Sequence, residues 1–265
     1  MNRFTDAIGH TLTLNTTPKR IVSLVPSQTE LLVDLGLEHA LVGITKFCVH
    51  PIGLRANKSM VGGTKKVNFD KIRQLKPDLI IANKEENTKD MVEALQQLYP
   101  VWTTDILTVE DNLKMIADFG KLLDCEDKAT ALQNKIAQRL TQFKASTAHH
   151  LTKRVVYLIW KNPYMAAGAD NFIAELLQLN KLENSCGATS RYPEVDLERI
   201  CAQEQVDYIF LSSEPYPFKA EDAAEIKAFA GKAKVVLVDG EMFSWYGSRL
   251  LKSFDYFEEL HAQLD

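Results

Sequence analysis

The sequence predicts an α/β protein: two Rossmann-like lobes with parallel sheets, joined by one long helix. Three observations carry this. A helix-and-strand phrase occurs twice, as Asp70-Lys-Ile-Arg-Gln-Leu-Lys-Pro-Asp-Leu-Ile-Ile-Ala82 and, one residue longer, as Glu198 to Leu211. Each copy follows a basic-led apolar strand, Arg20 to Val25 in one half and Arg154 to Trp160 in the other. Between the halves, Asp127 to Thr147 contains no Pro or Gly. Its Ala129, Leu132, Ile136, Leu140 and Phe143 recur at steps of three and four, a single apolar stripe. The division this implies is an N-terminal lobe over 1–125, a bridging helix over 126–149 and a C-terminal lobe over 150–265.

Along the first half, a hairpin over Thr5–Leu14 precedes the strand at Arg20–Val25, which Pro26 stops. Ser27-Gln-Thr-Glu30 has capping-box spacing and predicts a helix running to Leu35, ended by Gly36. Leu41–Ile44 is a strand, and Thr45–Thr64, broken by Pro51, Gly53, Gly62 and Gly63, reads as irregular. Asp70–Leu75 is helical, Leu79–Ala82 a buried strand, Lys89–Leu98 a helix, Val101–Thr103 a strand and Glu110–Leu123 a helix. In the second half, Arg154–Trp160 is a strand and a loop with Pro163 and Gly168 follows. A helix over Asn171–Leu179 then leads to an irregular stretch, Asn184–Pro193. Next come a helix at Leu197–Gln203, a strand at Tyr208–Leu211, a loop with Pro215, Tyr216, Pro217 and Phe218, and a helix at Ala223–Phe229. A strand at Val235–Val238 and a helix from Ser248 to Leu264 finish the chain. Strands alternating with helices give parallel sheets covered on both faces. Ligands of such sheets bind at the carboxyl ends of the strands, so two facing lobes would form a cleft lined by loops from both.

Composition narrows the function. A net charge of -4 without a long basic run disfavours nucleic acid as a partner. No apolar run approaches the roughly 18 residues that cross a bilayer. The first ten residues read as no signal peptide, so the chain as given reads as cytoplasmic unless a leader has been removed. Cys48, Cys125, Cys186 and Cys201 lack tight pair spacing, and reduced thiols are the expectation. No P-loop, dinucleotide fingerprint or nucleophile elbow occurs, and Gly62-Gly63-Thr64-Lys65 reads as a turn. Nothing in these motifs predicts an enzyme or a required cofactor.

Two sets of loop residues stand out. Phe47-Cys48-Val49-His50-Pro51 puts Cys48 and His50 two apart, where both could reach a soft metal. Structural zinc needs about four ligands, however, and no second paired motif supplies them, so a half-buried thiol beside a surface imidazole is the preferred reading. The second set is aromatic: Phe47, Trp160, Tyr164, Tyr192, Phe243, Trp245 and Tyr246 fall at strand ends or just beyond. Singly each would be core. Together they predict a flat, mostly apolar ligand held by stacking. Arg249, one helical turn beyond Trp245, would meet an acid on that ligand or form a surface ion pair.

Arg20-Ile-Val-Ser-Leu-Val-Pro-Ser-Gln-Thr-Glu30, Gly43 and the phrase ending Lys76-Pro-Asp-Leu-Ile-Ile81 resemble the substrate-binding proteins of ABC importers for cobalamin and ferric siderophores. The resemblance spans nearly the whole chain. It implies a periplasmic or cell-surface monomer without catalysis that captures a cobalamin-like corrinoid, haem or ferric siderophore for an ABC permease. By the same resemblance Asp70 and Glu198 would dock on permease arginines, although each also suits a helix start. Lys65 and Asn83 stand where cobalamin-binding relatives carry aromatics and are carried over as ligand-facing positions. The alternative is a cytosolic metal- or tetrapyrrole-handling protein or enzyme on the same fold, with Cys48 and His50 as ligands.

Overall fold

A computed structural model describes residues 2–203 and 205–264; Glu204, within the second copy of the repeated phrase, lies outside the described residues. By contacts the chain forms two units, Met1–Ala137 with Trp245–Leu251, and Gln138–Ser244 with Lys252–Asp265.

The first unit begins with an antiparallel hairpin, β1 (Asn2–Thr5) and β2 (Thr11–Leu14). Its turn is fixed by Asp6, whose carboxylate accepts the backbone N–H groups of Ile8, His10 and Thr103 at 2.8–3.1 Å. The sheet that follows is parallel throughout, built from β3 (Ile21–Ser23), β4 (Leu41–Ile44), β5 (Ser59–Met60), β6 (Leu79–Asn83) and β7 (Val101–Thr104) in the order β5-β4-β3-β6-β7. β3 and β6 are buried at every residue, as central parallel strands covered on both faces must be. Helices α1 (Pro26–Asp34), α2 (Leu54–Asn57), α3 (Phe69–Leu75) and α4 (Lys89–Gln96) lie in the crossovers, and α5 (Val109–Leu122) follows the last strand. Thr108 and Asp111 close a capping box on α5, and the Asn68 side chain accepts the Lys71 N–H at the start of α3.

The long helix α6 (Glu126–Ser146) matches the expected span to within a residue at each end. Ala129, Ile136 and Phe143 are its fully buried apolar positions. Near its start it runs so close to α5 that a Cβ on Gly120 would come within 2.8 Å of the Ala129 Cβ. Farther along, Phe143 packs on Phe254 and Phe257 at centroid distances of 5.5 and 5.9 Å.

In the second unit β8 (Lys153–Trp160), β10 (Leu182–Asn184), β11 (Tyr208–Ser212) and β12 (Lys234–Val238) are parallel in the order β10-β8-β11-β12, and β9 (Met165–Ala166) pairs antiparallel with β8. Helices α7 (Phe172–Leu179), α8 (Leu197–Gln203), α9 (Ala220–Lys227), α10 (Gly240–Ser244) and α11 (Leu250–Leu264) accompany them. The order repeats that of β4-β3-β6-β7, so the two copies of the phrase occupy equivalent places. They also share a contact. The Asp78 carboxylate accepts the backbone N–H groups of Lys19 and Arg20, both at 2.8 Å, and its own N–H donates to the Arg20 carbonyl at 3.0 Å. Asp207 accepts the Arg154 N–H at 2.7 Å and donates to the Arg154 carbonyl at 2.9 Å.

Several local expectations are corrected. The first core strand ends at Ser23, short of Val25, and Pro26 opens α1 at its first position, where the missing N–H costs nothing. The capping box expected at Ser27–Glu30 is absent, because those four side chains lie inside the helix and are buried. The irregular segment after β4 contains α2 and the two-residue edge strand β5. β9, β10 and α10 are further short elements below the length at which periodicity is legible.

The segment 245–251 belongs to the first unit through contacts that no local pattern announces. The Gly247 N–H donates to Asn112 Oδ1 at 2.6 Å, and Asn112 Nδ2 donates to the Gly247 carbonyl at 3.3 Å. Gly247 has φ of +85°, a conformation that suits glycine. Replacing Asn112 with Ala leaves both backbone groups buried without that partner, and is expected to cost about 1–3 kcal/mol by urea unfolding. A change within a few tenths would mean that the segment is held by other contacts.

Candidate functional site

The loops leaving the carboxyl ends of the first unit's strands are built largely by side chains that hydrogen-bond backbone. Asn83 accepts the N–H groups of Glu85 and Glu86 at 2.9 and 3.0 Å, and donates to the Thr104 carbonyl and hydroxyl at 3.2 and 3.1 Å. Asn87 accepts the Asn83 N–H and donates to the Thr64 carbonyl. Asn83, expected to face a ligand, is therefore buried and organises the β6–α4 loop instead. Lys65 is exposed, its ammonium 2.6 Å from the Glu85 carbonyl. Gly62 and Gly63 do form a turn: Gly63 N–H donates to the Lys66 carbonyl, and Gly62 has φ of +134°.

Cys48 is fully buried, its sulfur 3.1 Å from the Thr29 hydroxyl and 3.3 Å from that of Thr45. Burial pushes its pKa up, against the two hydroxyls that favour the thiolate, with the Glu86 charge adding to the rise. His50 lies edge-on to Trp245, centroids 5.4 Å apart. Among the described residues no group of three or more His, Cys, Asp or Glu is placed to hold a metal ion.

Behind this loop lies the returning segment. Arg249, 3% exposed, donates from Nε to Glu30 at 2.8 Å, and its guanidinium lies 4.8 Å from the Trp245 ring centre. The surface pair or ligand contact expected of Arg249 is thus a buried pair with the chain's own acid. Gln28 donates to the Tyr246 hydroxyl at 3.0 Å and to Thr104 Oγ1 at 2.5 Å. Tyr246 is also buried, and that burial raises its pKa. Phe47, by contrast, is 48% exposed.

In the second unit Trp160, 40% exposed, ends β8 and meets Tyr216 edge-to-face at 5.7 Å; Tyr216 in turn packs on Phe218 at 4.8 Å. Tyr164 donates to Glu225 at 3.3 Å, beside Lys161, which bridges Asp222 and Glu225 at 2.8 and 2.7 Å. Tyr192 is half-buried in a segment laced to the β9 loop: Arg191 N–H donates to the Ala169 carbonyl and Ala169 N–H to that of Thr189. The contact is so close that a Cβ on Gly168 would come within 2.1 Å of the Thr189 carbonyl oxygen. Phe243 is a core residue, not a ligand-facing one, fully buried against Tyr157 and Phe257 at 5.2 and 4.7 Å.

Sequence reasoning passed over a polar cluster at the end of β11. The Tyr157 hydroxyl donates to Ser212 at 3.2 Å, Ser212 to the Glu214 carbonyl at 2.6 Å, Ser244 to the Glu214 carboxylate at 2.5 Å, and Gly240 N–H to Ser213 at 2.9 Å. Ser212-Ser213-Glu214 directly after an apolar strand was the available signal. Asp70 is 80% exposed in the first turn of α3, 2.6 Å from Arg73, and Glu198 is exposed in the first turn of α8.

The raised Cys48 and Tyr246 groups predict alkaline sensitivity. Both stay protonated in the folded chain at pH values where the unfolded chain ionises, so there the unfolded state binds fewer protons. Their contribution is complete at pH 7–8 and declines once pH passes about 9 for the thiol and about 10 for the phenol. Urea midpoints should fall from pH 8 to pH 11, and Tyr246→Phe should shallow the upper part of that slope by one proton. A slope unchanged in the variant would show that Tyr246 titrates alike in both states.

Residues 21–234 match the family described as periplasmic binding protein. An uncharacterized ABC transporter substrate-binding lipoprotein of Bacillus subtilis is 30% identical over 205 residues, 74% of this chain and 64% of that protein's length. A vitamin B12-binding protein of Vibrio vulnificus is 26% identical over 189 residues, 69% of this chain and 67% of the relative. In fold, the periplasmic vitamin B12 binding protein of Vibrio cholerae superposes with a TM-score of 0.81 at 20% identity, over 93% of this chain and 98% of that one. A periplasmic heme binding protein from Pseudomonas aeruginosa gives 0.78 at 21% identity, over 92% of each chain.

Proposed function

Since the chain belongs to the periplasmic binding protein family, we propose that it captures a metal chelate, a corrinoid, haem or ferric siderophore, and delivers it to an ABC permease. The observation that carries this reading is the set of aromatics left at the carboxyl ends of parallel strands. Phe47 after β4 and Trp160 at the end of β8 each leave a large ring partly exposed, at 48% and 40%. Exposed aromatic faces suit a flat, largely apolar ligand. His50, edge-on to Trp245 in the same loop as Phe47, is the side chain best suited to approach the metal of such a chelate. The names of the relatives support the same class of ligand: vitamin B12 for one group, heme for another. They likewise support a lipid-anchored or periplasmic location. An enzymatic reading of Cys48 and His50 is not favoured, because the family is one of binding proteins and burial keeps the Cys48 thiol protonated.

The direct experiment is visible absorption of the purified protein titrated with cyanocobalamin, haemin and ferric siderophores. One of them should produce a saturable, stoichiometric spectral change, and no change with any of them would refute the reading. Trp160→Ala and Tyr192→Ala should each weaken that binding by roughly two- to tenfold without unfolding the protein, the scale of a lost aromatic contact of about 0.5–1.5 kcal/mol. Affinities equal to wild type in both variants would move the site elsewhere.

Delivery has its own test. We assign Asp70 and Glu198 to the permease interface, each exposed in the first turn of its helix. Asp70→Arg with Glu198→Arg replaces attraction with like-charge repulsion at two points, which costs several kcal/mol across an interface. Each acid at a helix start contributes at most about 1 kcal/mol to folding. The double variant should therefore fold and bind ligand as wild type while permease-dependent uptake is lost. Intact uptake would remove both residues from the interface.

A further inference from the structure

From His39 to Phe69 the chain contains no Asp or Glu, although it carries Lys46, Arg55, Lys58, Lys65 and Lys66 and the whole protein is acidic, with a net charge of -4. This stretch supplies β4, β5 and the loops beyond them, so its five basic residues lie toward the β5 edge of the first unit's sheet. Two of them are used to build it. Arg55 donates to the Lys46 carbonyl at 2.9 Å, and Lys58 to the Glu38 carbonyl at 2.7 Å. Of the other three, one lies over an exposed ring and two sit on the turn packed against it. The Lys46 N–H donates to the Gly62 carbonyl at 2.8 Å, which joins the loop after β4 to the turn after β5. A Cβ on Gly63 would come within 3.2 Å of the Phe47 ring, so the ring lies against that turn. The Lys46 ammonium sits 4.9 Å from the ring centre, and Lys65 and Lys66, exposed, occupy the turn itself.

Acidic residues on the β6–α4 loop contact this stretch. Glu85 offers its backbone carbonyl to Lys65, and the Glu86 charge is felt at buried Cys48 and Tyr246. Asp105 is paired with Lys84. An ammonium group has three donors, so Lys65 keeps two beyond its carbonyl contact.

We infer that Lys46, Lys65 and Lys66 around Phe47 form an anion-selective subsite: the chelate presents carboxylate groups on an apolar rim, the rim stacking on Phe47 and the carboxylates meeting the lysines. This rests on the chelate-binding reading and divides its ligand class. It favours a carboxylate-bearing tetrapyrrole or ferric hydroxycarboxylate over a corrinoid whose periphery is neutral amide. Lysines over the ring and on the turn beside it give a neutral amide no hydrogen bond between two ions, whereas a carboxylate would accept one from each lysine that reaches it.

The test uses the full chain with four probes: haemin, haemin dimethyl ester in the same mild detergent, ferric citrate and cyanocobalamin. Haemin or ferric citrate should bind more tightly than cyanocobalamin. Its affinity should fall as salt rises, and Lys46→Gln with Lys66→Gln should weaken it at least about tenfold. If haemin is the tighter ligand, its dimethyl ester, with the same ring and metal but no carboxylates, should bind as weakly to wild type as haemin does to the variant. Tighter binding of cyanocobalamin, an ester that binds as well as haemin, or a double variant equal to wild type would each overturn the subsite while leaving chelate capture standing. If none of the four binds, the subsite is overturned, and chelate capture fails with it when other ferric siderophores also leave the spectrum unchanged.

Discussion

Two aspartates carry the same load in the two halves. In a parallel sheet the first residue of a strand has no turn to pin it against its neighbour, and a slip of one residue would move every side chain to the other face. Asp78 and Asp207 prevent this at the central pair of each sheet. Asp78 accepts two backbone N–H groups and Asp207 one at the start of the adjoining strand, and each returns its own N–H to the carbonyl of Arg20 or Arg154 there. The registers Ile21↔Leu79 and Val155↔Tyr208 follow from these clamps. Everything of functional interest lies downstream of that registration, since it decides which residues leave the sheets at their carboxyl ends.

The clamps also explain why so much of the fold could be read from the sequence. Buried parallel strands must be nearly continuous apolar runs, and their crossovers must be amphipathic helices, so both leave a period in the chain. The repeated phrase was legible because its residues do one job twice. Its acid holds a strand start, its apolar run fills the sheet centre, and its helix-start residue, Asp70 or Glu198, remains exposed. Short elements leave no period, which is why β5, β9, β10 and α10 went unread. Pro26 lies beyond the end of β3 and also opens α1, since proline suits both an element's end and a helix's first position.

Side-chain roles were harder to read than the fold. An aromatic at a strand end can turn inward or outward, and the sequence has no marker for the choice. Phe243 turns inward because Tyr157, Phe210 and Phe257 leave a ring-sized place for it. Trp160 ends its strand one residue beyond the buried run of β8, with Tyr216 beside it, and stays at the surface. Arg249 and Glu30 are 219 residues apart, a separation at which no periodicity links two residues. Their pairing is nevertheless among the more consequential contacts in the first unit. A buried charge whose partner is removed is destabilised by about 3–5 kcal/mol, whereas replacing both by apolar groups is often tolerated. The pair therefore acts as a specificity device for the segment 245–251, fixing where Trp245 and Tyr246 are packed.

That segment ties the chemistry of the first unit's loops to its core. Trp245 supports His50 on one side and receives the Arg249 guanidinium on the other, so the position of His50 depends on an ion pair that is itself out of water. Tyr246 does the same for the opposite side of the loop cluster, through Gln28 and Thr104 to the carboxyl end of β7. The loop carrying Phe47 is anchored by buried Cys48 against Thr29 and Thr45, while Phe47 itself is 48% exposed. In the binding role proposed above, a rim held this way would meet the ligand without paying to order its own backbone, and the entropy saved would appear as affinity. The proposed lysine subsite would then act beside a ring whose backbone is already placed, and discrimination would fall to the charge of the ligand.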